Sequence, residues 1–348
     1  MINRRTSSQV LLPEVTIKRV LPSNYSQKIS YLGKTKEIKL FDYGEASVDS
    51  NGVIFRGLRW MKETLSDHES SFYKKQKRLV KYLKAKLKVE KDPVLVVYDS
   101  FHVMYYHWLC DMMVRISLAK KIIKSNFKIV IPINYYKNNF CLSSLKMLGI
   151  EENQLIIIDK KEVVKSSQMF FVSCALGGSL INTTHDSAII DLRDEMLNYC
   201  KLHNKLDFNL GKKIFISRSR QKKRIILNQK DVDQLLLRYG FAIVNMEDFN
   251  FEDGVAIVYN ADYIVSQCGS NLTNIMFARE DTKVLELYPK KEYGDKNGGT
   301  WFSELSQACG LEHDYQHCEI DQNNFYINEF HTDMIVDLEE LEKRLKLF

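Results

Sequence analysis

The amino-acid sequence predicts an α/β protein made of two Rossmann-like halves. Three observations predict it. Short apolar strands alternate with helical segments from Pro93 onward, the pattern of a parallel, doubly wound sheet. A second run of strand, helix and strand fills the region after residue 212. The length, 348 residues, matches about two domains at roughly 100–200 residues each.

The elements follow in order. Residues 1–60 read as short strands and loops, with VTIKRVL, Ile38–Phe41 and GVIFRGLRW as short apolar runs between Asn, Gly and Ser. In the basic stretch 70–90, Val80, Leu83 and Leu87 recur at helical spacing and predict an amphipathic helix, read either as a surface helix or as a membrane-facing one. Next come a strand in PVLVVYDS, a long helix from Tyr105 to Ser125, a strand in FKIVIPIN, a helix around Leu142–Leu148 and a strand in QLIIIDK. A helix over 187–204 leads to a polar break. The second run is KKIFISR (strand), DVDQLLLRYG (helix, closed by Gly240), FAIVNME (strand), NFEDGVAIVYNA (helix), DYIVSQC (strand), NLTNIMFA (helix start) and TKVLELYP (strand). WFSELSQACG and VDLEELEKRLKLF read as helices. The expected domains are therefore 1–205 (short strands over 1–60, Rossmann-like over 93–205) and 206–348, with the boundary near 203–212 and a ligand cleft between the halves at the strand carboxyl ends.

Composition narrows the function classes. The apolar fraction is 45% and the net charge +6, and residues 212–224 hold seven Lys or Arg with no acid. Such a run attracts phosphate groups or is a solvated basic face. No aromatic-interleaved platform or helix-turn-helix accompanies it, so nucleic acid is not an expected partner. Seven dispersed cysteines without a CxxC pair read as reduced thiols in a cytoplasmic protein, and no metal-ligand spacing is present. The N-terminal stretch lacks the apolar run of a signal peptide, and no window has the length of a membrane span.

Three stretches carry candidate chemistry. In VSQCGSNLTN a strand enters a small-residue turn and then a helix start. Gly269, Ser270, Asn271, Thr273 and Asn274 thus read as a diphosphate cradle, or as an ordinary capped βα turn. In ISRSRQKKRIILN, Ser217 and Arg218 end a strand, pointing off a sheet edge, and Arg224 and Asn228 close the loop. Arginine forks there grip phosphate oxygens, while Arg220, Lys222 and Lys223 read as surface charge. In YYHWLCDMMVRI, His107 and Asp111 lie four apart on one helix face, either as a base that deprotonates an acceptor hydroxyl or as a satisfied pair in a packing helix. Glu286 ends VLEL where an acid binds a ribose hydroxyl in Rossmann-like halves, or is a surface residue. Asp231 and Asp233 spell D-x-D but open a helix, where acids favour the dipole, so no metal site is expected.

Together these stretches resemble glycosyltransferase family 61, including bacterial capsular-polysaccharide members. The resemblance covers about residues 93–310. It rests on Tyr106, His107, Trp108 and Asp111, on Ser217, Arg218, Arg224 and Asn228, on Gly269, Leu272, Thr273, Asn274 and Phe277, and on Glu286. One departure is Cys268, where many members carry a histidine. The resemblance implies a GT-B fold and inverting, metal-independent transfer from a nucleotide-sugar, taken as UDP-linked. The acceptor is a glycan or lipid-linked saccharide, as in surface polysaccharide biosynthesis. It implies Asp111 as base with His107 positioning or replacing it, and Arg218, Arg224 and the Thr273–Asn274 helix start holding the departing diphosphate. A peripheral contact with an anionic membrane at the inner face of the cell follows from the basic helix near 74–88. The alternative, raised by Cys268, is a catalytically degenerate module that binds a nucleotide-sugar or glycan.

Overall fold

The computed structural model describes residues 6–22, 30–65, 72–98, 104–176, 182–289, 300–321 and 332–347. Asp99 and Ser100, the end of the predicted strand in PVLVVYDS, lie outside them. The chain forms two compact units, Met1–Glu14 with Glu37–Leu176, and Val15–Lys36 with Gly177–Phe348. The helix Asp186–Leu202, read in sequence as the end of the first half, is part of the second unit.

The first unit contains a six-stranded sheet. Its strands are β1 (Ser7–Leu12), β2 (Ile38–Asp42), β3 (Val94–Val96), β4 (Lys128–Pro132), β5 (Leu155–Ile158) and β6 (Met169–Val172), in spatial order β1-β2-β6-β3-β4-β5. The pairs from β6 through β5 are parallel, and β2 joins β6 antiparallel. Val94, Leu95, Val96, Ile129, Val130 and Ile131 are all fully buried, as strands covered on both faces require. A second sheet runs Arg59–Trp60, Ile54–Arg56, Ala46–Asp49, Glu162–Ser166, Lys86–Glu90. Leu87, expected in a helix, belongs to the last of these strands. The helix Phe72–Lys84 ends earlier, and Lys86 turns to pair with Glu162.

The second unit is built on a five-stranded, wholly parallel sheet. Its strands are β7 (Lys213–Ile216), β8 (Ala242–Val244), β9 (Tyr263–Gln267), β10 (Lys283–Tyr288) and β11 (Glu312–His317), in spatial order β8-β7-β9-β10-β11. Alternate residues face opposite ways. Phe215, Val265, Leu285 and Leu287 pack with Val232, Leu235 and Leu236 of the helix Gln229–Arg238 and with Leu341 and Leu345 of the helix Leu338–Leu345. Ile214, Ile216, Ile264 and Val284 project from the other face and are equally buried. The last helix is capped by Asp337, whose carboxylate accepts from the Glu339 and Glu340 amides at 3.0 and 3.1 Å, a cap worth about 1 kcal/mol.

Candidate functional site

The chain leaves β7 toward β8 on one side and returns to β9 on the other. The gap beyond the carboxyl ends of β7 and β9 is therefore the topological switch point of this sheet, where open α/β sheets bind ligands. Ile216 is in register with Ser266, so Ser217–Arg218 and Gln267–Gly269 leave neighbouring strands side by side. Two motifs some fifty residues apart in sequence meet here for that reason. Ser217 and Arg218 thus stand at the end of an interior strand and not off a sheet edge, as the sequence reading had it.

Arg218 and Gly269 are fitted to one another. A Cβ added at Gly269 would lie 2.7 Å from the guanidinium carbon of Arg218, so only glycine admits the arginine against the turn. Arg218 is 8% exposed. Its Nε is buried and has no hydrogen-bond partner among the described residues. Burial and the nearby charge of Arg224 push the Arg218 guanidinium down to about 10, so it stays charged at neutral pH in a place that disfavours charge. Two further buried donors near the turn, the Asn271 amide Nδ2 and the Thr273 hydroxyl, also lack a partner among the described residues. Buried donors left in this condition, beside a charge that its surroundings disfavour, are suited to a bound anion.

The turn itself is a 3-10 helix, Ser270–Phe277, which begins two residues earlier than the Leu-Thr-Asn start read from sequence. The N-terminal amides therefore belong to Ser270 and Asn271. Thr273 is fully buried. The Asn274 side chain donates to the Asn271 carbonyl at 2.8 Å, which holds the turn.

Arg224 is placed by its surroundings. Its φ is +56°, a left-handed conformation that a side-chain-bearing residue adopts only when neighbours enforce it. One enforcer is Gln267, whose side-chain amide donates to the Arg224 carbonyl. The sequence reading missed Gln267; a polar residue at the end of an apolar strand was its only signal. The others come from the C-terminal segment. Ile225 N–H donates to the Asp333 carboxylate at 3.0 Å, and Leu227 N–H donates to the Met334 carbonyl at 2.9 Å. Asn228 donates to and accepts from the backbone of Val336, at 2.8 and 3.0 Å. Both ends of its amide are thus engaged, so Asn228 fastens the loop and is not a donor ligand. Ser217 has a similar part: its buried hydroxyl accepts from Ser219 N–H at 3.2 Å. Arg220 is exposed and paired with Asp248, as expected of surface charge.

Glu286 is a correction as well. It lies within β10, fully buried, and not at a strand end beside a ribose. Its carboxylate meets His313 Nε2 at 3.2 Å, and His313 Nδ1 meets the Ser306 hydroxyl at 2.8 Å. The Cys268 thiol donates to the same carboxylate, and burial together with Glu286 pushes that thiol well up. Cys268 is thus a protonated strut beneath the Gly269 turn.

In the first unit the chain is helical from Tyr105 to Ile122, with a π-helical stretch, Trp108–Met113, inside it. Such stretches recur at functional sites. Trp108 is fully buried, donates to the Ser144 hydroxyl at 2.8 Å and stacks near Tyr135. His107 remains half-buried, with the Tyr106 ring edge-on at 6.1 Å. Asp111 turns inward and is 2% exposed. One oxygen accepts from Ala175 N–H at 2.7 Å and the other from Arg115 at 3.0 Å. Arg115 also donates to the Val172 carbonyl at 2.8 Å and lies over the Phe171 ring. With both oxygens engaged, Asp111 is held by the fold, whereas His107 stays half-buried.

The model of the family described as Glycosyltransferase 61 matches residues 105–285, more than half of the chain. The chain belongs to glycosyltransferase family 61. The family stretch runs from the His107 helix into β10. Over 120 residues it is 32% identical to Protein O-linked-mannose beta-1,4-N-acetylglucosaminyltransferase 2 of Xenopus laevis, which covers 33% of this chain and 20% of that protein. Over 84 residues it is 34% identical to the Homo sapiens protein of the same name, covering 23% of this chain and 14% of that one. The matched stretch is therefore a fifth or less of these relatives. Within the family 61 region, Asp231 sits in the first turn of the helix Gln229–Arg238, and Asp233, in the next turn, accepts from Gln229 at 2.7 Å.

Proposed function

We propose that this family 61 enzyme transfers a sugar from a nucleoside diphosphate donor, UDP-linked, to a glycan or lipid-linked saccharide hydroxyl with inversion. The observation that carries the donor assignment is the pair Arg218 and Arg224 at the switch point, with Arg218 pressed on Gly269 and buried donors around it. The donor diphosphate lies on Arg218, Arg224, the Ser270 and Asn271 amides and the Asn271 and Thr273 side chains. As the anomeric C–O bond breaks, charge grows on the leaving diphosphate, and preorganised guanidinium groups stabilise it. They supply the charge that a metal supplies in D-x-D enzymes, so no metal enters this reading. His107 takes the proton from the acceptor hydroxyl, which attacks the face opposite the leaving group. Asp111, through Arg115, sets the helix that carries His107. The relatives' names record a β-1,4 linkage, which inversion at an α-linked donor would give.

A GT-B arrangement with a donor-binding C-terminal domain and an acceptor-side N-terminal domain belongs to this reading, as does a part in surface polysaccharide assembly. Seven free thiols support a reducing, cytoplasmic setting. Among the described residues no helix is long and apolar enough to cross a membrane.

Calorimetry with UDP and GDP, with and without EDTA, tests the donor assignment, and turnover of UDP- and GDP-sugar panels tests the chemistry. UDP binding that EDTA leaves unchanged, and that Arg218→Ala removes, is expected. Binding that needs a divalent ion, or that survives in Arg218→Ala, overturns it. His107→Ala should lower kcat by about 10²–10⁴-fold with UDP affinity retained; unchanged kcat removes His107 as the base. UDP-sugar binding without turnover, acceptor present, establishes the degenerate-module alternative.

A further inference from the structure

The first unit carries an apolar stripe that the core does not use. Val80 and Leu83 recur at helical spacing in what the sequence marks as an amphipathic helix, either a surface helix or a membrane-facing one. The structure turns Tyr82 inward, stacked on the Phe55 ring at 4.2 Å, and brings Arg78 within 3.8 Å of Asp49. Val80 and Leu83 are left 51% and 61% exposed. The strand Lys86–Glu90 that follows lies at the edge of its sheet, and its Leu87 and Val89, on one face, are 54% and 72% exposed. Four large aliphatic side chains thus stand in solvent within ten positions. Lys81, Lys84 and Lys86, interleaved with them, are exposed too. Residues 72–89 contain eight Lys or Arg and no acid.

We propose that this face docks on an anionic phospholipid surface. Charge decides between occupants. A second copy docked about a two-fold axis would set lysines against lysines. Nucleic acid would answer the lysines through its phosphates but leaves the four aliphatics without a partner. An acidic bilayer answers both, because lysine ammonium groups reach the headgroups while Val and Leu side chains enter the boundary with the acyl chains. The surface is separate from the residues assigned to donor and base, so it stands or falls independently of the transferase reading.

The test uses the full chain and co-sedimentation with phosphatidylcholine vesicles, with and without phosphatidylserine, at low and high salt. Binding only to the phosphatidylserine vesicles, weakened by salt, is expected. The combined variant Lys81→Glu, Lys84→Glu and Lys86→Glu should weaken it on the order of a hundredfold, about fivefold for each charge lost. Leu83→Ser with Leu87→Ser, which keeps the charge, should weaken it about tenfold. Both variants should retain wild-type circular dichroism and UDP-sugar turnover. Equal binding to neutral vesicles, no binding, or a Leu83→Ser, Leu87→Ser variant that binds as wild type overturns the proposal. In the last case the face is a non-specific polycation, and duplex DNA should displace the vesicles fully.

Discussion

Two buried charge sites, one in each unit, differ in how their charge is answered. In the first, Asp111 and Arg115 neutralise one another at 3.0 Å, and backbone groups engage the carboxylate and the guanidinium Nε, leaving only Arg115 Nη2 without a partner among the described residues. In the second, Arg218 is buried beside another arginine, and donors around it go unanswered among the described residues. Breaking the first kind of site leaves a stranded ion inside the protein, whereas breaking the second removes a charge that already opposed folding. The contrast teaches that burial alone does not mark a catalytic charge. A charge compensated within the fold supports structure, and one that its surroundings disfavour is open to a ligand.

The contrast breaks most visibly at Asp111. Asp111→Asn strands Arg115 and should cost about 3–5 kcal/mol of stability, read from the urea midpoint; a midpoint near wild type would make Asp111 available for chemistry after all. Arg218→Met should do the reverse. Its kcat/KM should fall about 10³-fold while its melting temperature without ligand holds or rises, and a clear fall in melting temperature would make Arg218 a structural residue. Gly269→Ala sharpens the point. Its methyl group displaces only the mobile end of Arg218, so folding should lose no more than about 1 kcal/mol. UDP affinity should drop about tenfold to a hundredfold, and calorimetry that finds full affinity would separate Arg218 from the donor site. Asn228→Ala loses two hydrogen bonds to Val336 and should cost about 1–3 kcal/mol, with donor affinity falling through Arg224.

The smallest effect is on pH dependence. The folded Arg218 pKa lies below that of the unfolded chain, so the ionised side chain opposes folding at neutral pH. That opposition is relieved as pH rises from about 10 toward the ordinary guanidinium range. Bound UDP offsets it, so the rise in melting temperature that UDP causes should be level between neutral pH and the lower edge of that range, and shrink above it. Differential scanning fluorimetry across that range checks the sign.

Much of this was legible from the sequence. The strand–helix alternation from Lys213 to Tyr288 is in the structure, because strands buried on both faces must be apolar throughout. The meeting of Ser217–Arg218 with the Gly269 turn was also legible, since both motifs end strands of one run. What escaped was set by distant partners. Nothing near Asn228 announces Val336, 108 residues away. Glu286 reads as a strand-end acid until His313 is seen on the adjacent β11. The fifth strand, Glu312–His317, is polar in sequence and becomes a strand only by pairing with β10. At Asp111 the spacing from His107 suggested a common face. The π-helical stretch and Arg115, four residues further on, turned the carboxylate inward.

The tie between residues 225–228 and 333–336 has a consequence for biosynthesis. During translation β7 and β9 leave the ribosome well before Asp333, Met334 and Val336 do, and until those later residues arrive the loop that carries Arg224 has Gln267 but lacks its ties to residues 333–336. A nascent chain therefore has the sheet scaffold before the 225–228 loop is fastened to it, and the full set of ties awaits residues 333–336.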